Sequence, residues 1–116
     1  MKNEILELTF KFSLSIIEFS ENLESNRKFN MANQLFRSGT SIGANVREAQ
    51  NPQSRADFIS KMKIASKEVE ETQYWLQLCD QSPNYPKADK LLEELVSIKL
   101  IINKIVVTAK NNARIK

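Results

Sequence analysis

Arg37, Ser41, Ala44 and Glu48 recur at spacings of four, three and four, which places them on one face of a helix with Thr40 and Arg47 at its edge. A guanidinium presents a planar fork of donors that grips a carboxylate or a phosphate through paired hydrogen bonds. Two readings of Arg37 and Arg47 are therefore open: ion pairs with acids such as Glu48, within or between helices, or contacts to phosphate. Glu68, Glu70 and Glu71 form the densest acidic cluster, which a solvated helix face or pairing with nearby lysines accounts for. The chain has no histidine, so the commonest general base and the commonest metal ligand are missing. Its one cysteine, Cys79, cannot supply the paired thiolates of structural zinc or an internal disulfide. Cys79 falls on an apolar seam, where burial as a small hydrophobe is expected over a reactive thiol. No phosphate loop, dinucleotide fingerprint or nucleophile elbow is found. These residues predict no catalysis, no cofactor and no metal.

The elements that carry these residues read as four helices. Ile5, Leu8, Phe12, Ile16, Phe19 and Leu23 mark one helical face over about residues 3–24. A second helix, about 29–50, holds Leu35, Ile42, Val46 and Ala49 on one face, which passes close to Gly39. Gly39 and Gly43 each cost that helix about 1 kcal/mol against alanine. Because the apolar positions stay in register through both, a helix with a closely approached face is expected. Pro52 ends it, and Ser54-Arg55-Ala56-Asp57 resembles a capping box with Asp at the third position. Phe58, Met62, Ala65, Val69, Thr72, Leu76 and Cys79 then form a heptad seam over a third helix, about 55–80. Trp75 lies beside that seam, suited either to completing the core or to a subunit contact. Pro86 suits the first turn of a fourth helix, about 86–112, whose seam is Ala88, Leu91, Leu95, Ile98, Ile102, Ile105 and Ala109. Four helices joined by short connections predict one all-α domain over residues 1–116, an antiparallel up-down-up-down four-helix bundle.

Composition agrees with that class: 41% of the 116 residues are hydrophobic, 27% are charged, and there are only two glycines and three prolines. No apolar run approaches the ~20 residues that span a bilayer, and the N-terminus mixes acids among its apolar residues, unlike a secretory signal. A cytoplasmic location and no membrane role are expected. The net charge of +3 is unevenly spread: residues 1–24 carry −3, 25–56 carry +4, 57–82 carry −2 and 83–116 carry +4. Such blocks either hold neighbouring helices together or leave a basic face on the folded molecule.

The stretch Gln34-Leu35-Phe36-Arg37-Ser38-Gly39-Thr40-Ser41-Ile42-Gly43-Ala44-Asn45-Val46-Arg47-Glu48-Ala49 resembles a bacterial family, the four helix bundle or 23S ribosomal RNA intervening-sequence proteins. The shared elements are Gln34, Leu35, Arg37 and Ser38, then Ser41, Ile42, Ala44, Asn45, Val46 and Glu48. The likeness continues through Asp57-Phe58-Ile59, Ala65, Glu68-Val69, Glu71-Thr72 and Tyr74-Trp75-Leu76. It departs from many relatives at Arg47 and at Ala49-Gln50. The resemblance implies the same bundle and a ring-shaped homopentamer. It extends to accessory proteins of diversity-generating retroelements, which implies binding of RNA or DNA and a partner such as a reverse transcriptase.

The expectation is a non-enzymatic homo-oligomeric bundle that acts as a nucleic-acid-associated accessory module, the alternative being a protein-interaction scaffold with no nucleic-acid role. The candidate phosphate contacts are Arg37, Arg47, Lys61, Lys63, Lys104, Lys110 and Arg114. The candidate motif for assembly or interhelical architecture is Gly39, Ser41, Gly43, Ala44, Asn45 and Glu48, whose small and polar side chains suit close packing with satisfied hydrogen bonds. No stacking aromatics interleave with the basic residues in the way single-strand binders require, so any binding is expected to be driven by the phosphate backbone and weakly sequence-specific.

Overall fold

Four helices run in alternating directions: α1 (Glu4–Ser25), α2 (Phe29–Ala49), α3 (Arg55–Gln81) and α4 (Asp89–Ile115). The computed structural model describes residues 3–115, with side chains described through Asn112. Each helix packs on the next, and α4 returns to α1 to close the bundle. The result is a rod of 52 × 24 × 22 Å. No helix among the described residues is long and apolar enough to cross a membrane.

Local chemistry sets the helix ends. Asn3 caps α1 by accepting from the Leu6 N–H at 3.4 Å, and its amide donates to Gln50 Oε1 at 2.9 Å, which ties the start of α1 to the end of α2. At the other end of α1, Arg27 takes a φ of 62°, the left-handed conformation usually left to glycine. The following N–H, of Lys28, donates to the Leu23 carbonyl at 2.8 Å. Ser54 caps α3 by accepting from the Asp57 N–H at 3.0 Å. Asp57, shorter than the usual glutamate, reaches past Ser54 to accept from the Gln53 N–H at 3.1 Å. The fourth helix begins at Asp89 rather than near Pro86. The cause is Asp80, which accepts from the Ala88 N–H at 2.9 Å while Lys87 Nζ donates to the Asp80 carbonyl at 2.8 Å. Those two bonds fold residues 87 and 88 back over the end of α3 before a helix can start.

The core is made of the expected seams with small shifts. Met62, Ala65, Val69, Thr72, Leu76 and Cys79 are buried on α3. On α4 the buried series runs through Val106, while Ile105 is only half-buried. From α1 come Ile5, Phe12, Ile16 and Leu23, joined by the buried polar residues Thr9 and Ser20. Thr9 Oγ1 donates to the Ile5 carbonyl at 2.8 Å, so its hydroxyl is satisfied within the helix. Burial raises the Cys79 thiol to a pKa of about 11, and the nearby Asp80 carboxylate adds to the rise. That thiol is a packing group at neutral pH.

Both α2 glycines face α1. A Cβ at Gly39 would lie 2.7–2.9 Å from three atoms of the Ile16 side chain, and one at Gly43 would lie 3.3 Å from the Thr9 carbonyl oxygen and Ser13 Oγ. Neither glycine has a positive φ. Their role is room for the α1 side chains and backbone, which repays their poor helix propensity through packing.

Candidate nucleic-acid interface

The seven basic residues singled out from the sequence divide into three groups in the fold. Arg37 is engaged: its guanidinium is paired with Glu71, and Nη1 lies 3.6 Å from Glu68 Oε1, both on α3. The Trp75 indole N–H donates to the same Glu71 oxygen as Arg37, at 3.0 Å. Glu68 is held above the usual carboxylate range because burial outweighs the attraction of Arg37. Lys61 is also engaged, donating to Glu48 Oε1 at 2.8 Å, and that bond raises its pKa. Glu48 therefore binds Lys61 rather than either arginine. Of the two readings open for Arg37, the ion pair is the one present in the fold, and cross-helix carboxylates hold both Arg37 and Lys61.

The second group is exposed and makes no ion pair among the described residues: Arg47, Lys63, Lys104 and Lys110. Arg55, Lys67 and Lys11 share that state without having been singled out by sequence spacing. These seven lie in the half of the rod that holds the start of α3 and the last described turns of α4, while Arg27, Lys87 and Lys90 are exposed and without an ion pair in the other half. That half comprises residues 3–14, 39–67 and 103–112, and holds eight basic side chains against four acidic ones. The other half, residues 15–38 and 68–102, holds six basic against ten acidic. The charge blocks of the sequence thus combine into a basic end and an acidic end. Lys63 and Lys67 flank one shallow surface of α3 around Ile64, and Arg55 faces Lys104 across a groove. Arg47 stands apart, lining a cleft between α1 and α2 with Leu6, Phe10 and Gly43. The third group is Arg114, whose side chain lies outside the described residues.

The residues assigned to assembly separate in the same way. Gly39 is buried against Ile16 of its own chain and Gly43 packs on Thr9 and Ser13, so both serve the α1–α2 contact within one subunit. These contacts match the interhelical role expected of the motif. Ser41 Oγ donates to the Arg37 carbonyl at 2.6 Å and Asn45 Nδ2 to the Ser41 carbonyl at 2.8 Å, so both are satisfied inside α2. Ala44 and Glu48 remain exposed. Nearby, Phe10, Leu14 and Phe36 leave about half of their surface in solvent: 56%, 53% and 49%. Tyr74, Val96 and Leu100 do the same on α3 and α4. Among the described residues no three His, Cys, Asp or Glu side chains converge as a metal site.

The arrangement defines a class: small four-helix bundles with a polarised charge distribution and exposed apolar side chains on all four helices. A sequence profile described as 23S rRNA-intervening sequence protein matches residues 1–104. The chain belongs to that family. It is similar to a crystal structure of a protein of unknown function from the S23 ribosomal protein family of Bacteroides thetaiotaomicron, at 37% identity and a TM-score of 0.84. The match covers 88% of this chain and 97% of that one. No curated protein matches the chain.

Proposed function

We propose that this protein is a non-enzymatic, cytoplasmic, homo-oligomeric bundle that associates with RNA or DNA through its basic end. The observation that carries the reading is the group of exposed, unpaired cations Arg55, Lys63, Lys67, Lys104 and Lys110 within one half of the rod. A solvated helix face normally mixes charge signs, and here α4 carries no acid from Leu95 onward. Cations grouped this way attract a polyanion by releasing its counterions, with little dependence on base sequence. Self-association draws on two apolar strips. We take Phe10, Leu14 and Phe36 on α1 and α2 as one and Tyr74, Val96 and Leu100 on α3 and α4 as the other, since a head-to-tail contact that closes into a ring requires two different patches. The resemblance suggests five copies.

A second reading, a scaffold for a partner protein such as a reverse transcriptase, draws on the same apolar strips. The experiment is fluorescence anisotropy of labelled structured RNA and duplex DNA across a salt series, with light scattering for the mass in solution. Replacing Lys63, Lys67, Lys104 and Lys110 with Gln is expected to weaken binding and to reduce the slope of log K on log salt by about 0.9 per lost phosphate contact. Absence of binding at low salt would refute the nucleic-acid reading and leave the scaffold. A monomeric mass would refute self-association.

A further inference from the structure

A groove at the basic end has a volume of about 690 Å³, within the range of small-ligand sites. Pro52, the first turn of α3 and the C-terminal turns of α4 form its walls. Ala109 is buried, Phe58 and Ile105 are half-buried, and Arg55 and Lys104 stand exposed at opposite sides. Gln53, Thr108 and Asn112 supply amide and hydroxyl groups, and among the described residues no acidic one contributes to the lining. Along the chain Phe58 and Lys104 are 46 positions apart. The antiparallel pairing of α3 with α4 brings an aromatic ring and two cations into one lining.

We propose that this groove seats one unstacked nucleobase of a single-stranded segment, with the flanking phosphates on Arg55 and Lys104. The inference rests on the nucleic-acid reading above and names the part of the ligand that the groove takes. Each component matches one feature of a nucleotide. The Phe58 ring and the Ile105 side chain offer an apolar wall to the base face, the amides and hydroxyl meet its polar edge, and the two cations neutralise phosphate. An aliphatic carboxylate uses the cations and the apolar floor but leaves the amides without partners. Bases inside a duplex are stacked and do not reach such a groove, so single strands and loops are selected.

The test compares, by anisotropy at one low salt concentration, a labelled 12-nucleotide single strand, the same strand with abasic sites, and a duplex. The proteins are the intact wild type and two variants, Phe58→Leu and Thr108→Glu. The first removes the aromatic face while keeping an apolar side chain. The second places a negative charge at an exposed position of the groove without touching the core. The base-containing strand is expected to bind the wild type about tenfold more tightly than the abasic strand. Each variant is expected to bring that ratio close to one, with duplex binding unchanged in Phe58→Leu. Equal binding of the two strands to the wild type, or a ratio that survives both variants, overturns the base seat and leaves backbone binding intact. If none of the three nucleic acids binds, both readings fall together. Amide shifts around Thr108 that respond to decanoate but not to uridine monophosphate assign the groove to an aliphatic carboxylate and overturn the proposal. Loss of oligomer mass in Phe58→Leu assigns it to a second copy of the chain, with the same consequence.

Discussion

Replacing Gly39 with alanine sets two effects of known sign against each other. Helix propensity favours alanine by about 1 kcal/mol in a helix interior. The new methyl, however, would sit 2.7, 2.8 and 2.9 Å from Cγ1, Cγ2 and Cδ1 of Ile16, closer than real Cβ contacts allow. Ile16 is fully buried, and as a β-branched residue in a helix it has one strongly preferred rotamer. It cannot turn away, so α1 and α2 must separate or the side chain must leave its well. Overpacking of this kind costs about 1–3 kcal/mol. With the propensity gain subtracted, Gly39→Ala is expected to destabilise by about 0–2 kcal/mol, a fall in Tm of roughly 4 °C per kcal/mol for a domain of this size. Gly43→Ala, whose nearest contacts are at 3.3 Å, should fall within about 0.5 kcal/mol of wild type because the same gain meets a milder contact. The assay is urea unfolding followed by circular dichroism at fixed protein concentration, because assembly couples stability to concentration. Ile16→Ala removes all three crowding atoms and alone costs about 2–5 kcal/mol. The double variant should be at least about 1 kcal/mol more stable than the two single costs predict, since the Gly39→Ala methyl then enters vacated space. Additive costs, or a Gly39→Ala protein more stable than wild type by the full propensity gain of about 1 kcal/mol, would refute the argument that this glycine exists for interhelical clearance.

Thr72 Oγ1 donates to Ser38 Oγ at 3.0 Å with both residues fully buried, so Thr72→Val leaves the Ser38 hydroxyl stranded. The expected loss is about 1–3 kcal/mol, most of it recovered in the double variant with Ser38→Ala, as denaturant unfolding will show. For Glu68 the sign runs opposite to the usual carboxylate: its pKa is raised in the fold, so its favourable contribution is complete below the unfolded value and is lost as pH rises through the folded one. Glu68→Gln should therefore stabilise at pH 7, with the gain vanishing toward pH 4. A loss at pH 7 in thermal unfolding would show that the attraction of Arg37 dominates. Arg27→Gly relieves a left-handed residue that costs about 1–2 kcal/mol and adds a chain-entropy cost of about 0.5–1 kcal/mol. The Tm should rise by about 2 °C, and a fall would mean that Arg27 is held by contacts its φ does not reveal.

The bundle was legible because three of its four helices repeat their apolar residues with little competition from other patterns. The second helix was readable through register rather than propensity, as Leu35, Gly39, Ile42, Val46 and Ala49 stay on one buried face. Errors occurred where a distant group decides. The α4 start moved because Asp80 reaches Ala88, and the seam passed to Val106 because both Ile105 and Val106 are apolar and only packing chooses. The interface was harder to read. Arg37 looks available in sequence, yet its partners Glu68 and Glu71 are more than 30 positions away. Lys67 and Arg55 carry no motif, and their grouping with the lysines of α4 depends on which way each helix runs. The one signal within reach was the absence of acids after Glu94.

The separation of charge along the rod has a consequence for how copies can be arranged. Setting bundles side by side with their helices pointing the same way brings like ends together, basic against basic and acidic against acidic. Pointing them in opposite ways pairs unlike ends. A parallel ring therefore stores repulsion at both rims, which added electrolyte relieves within a Debye length of about 8 Å at physiological ionic strength. Salt should tighten such a ring while it loosens its hold on a polyanion. An antiparallel assembly would be weakened by salt in both respects, so the two responses measured on one sample report which way the neighbours face.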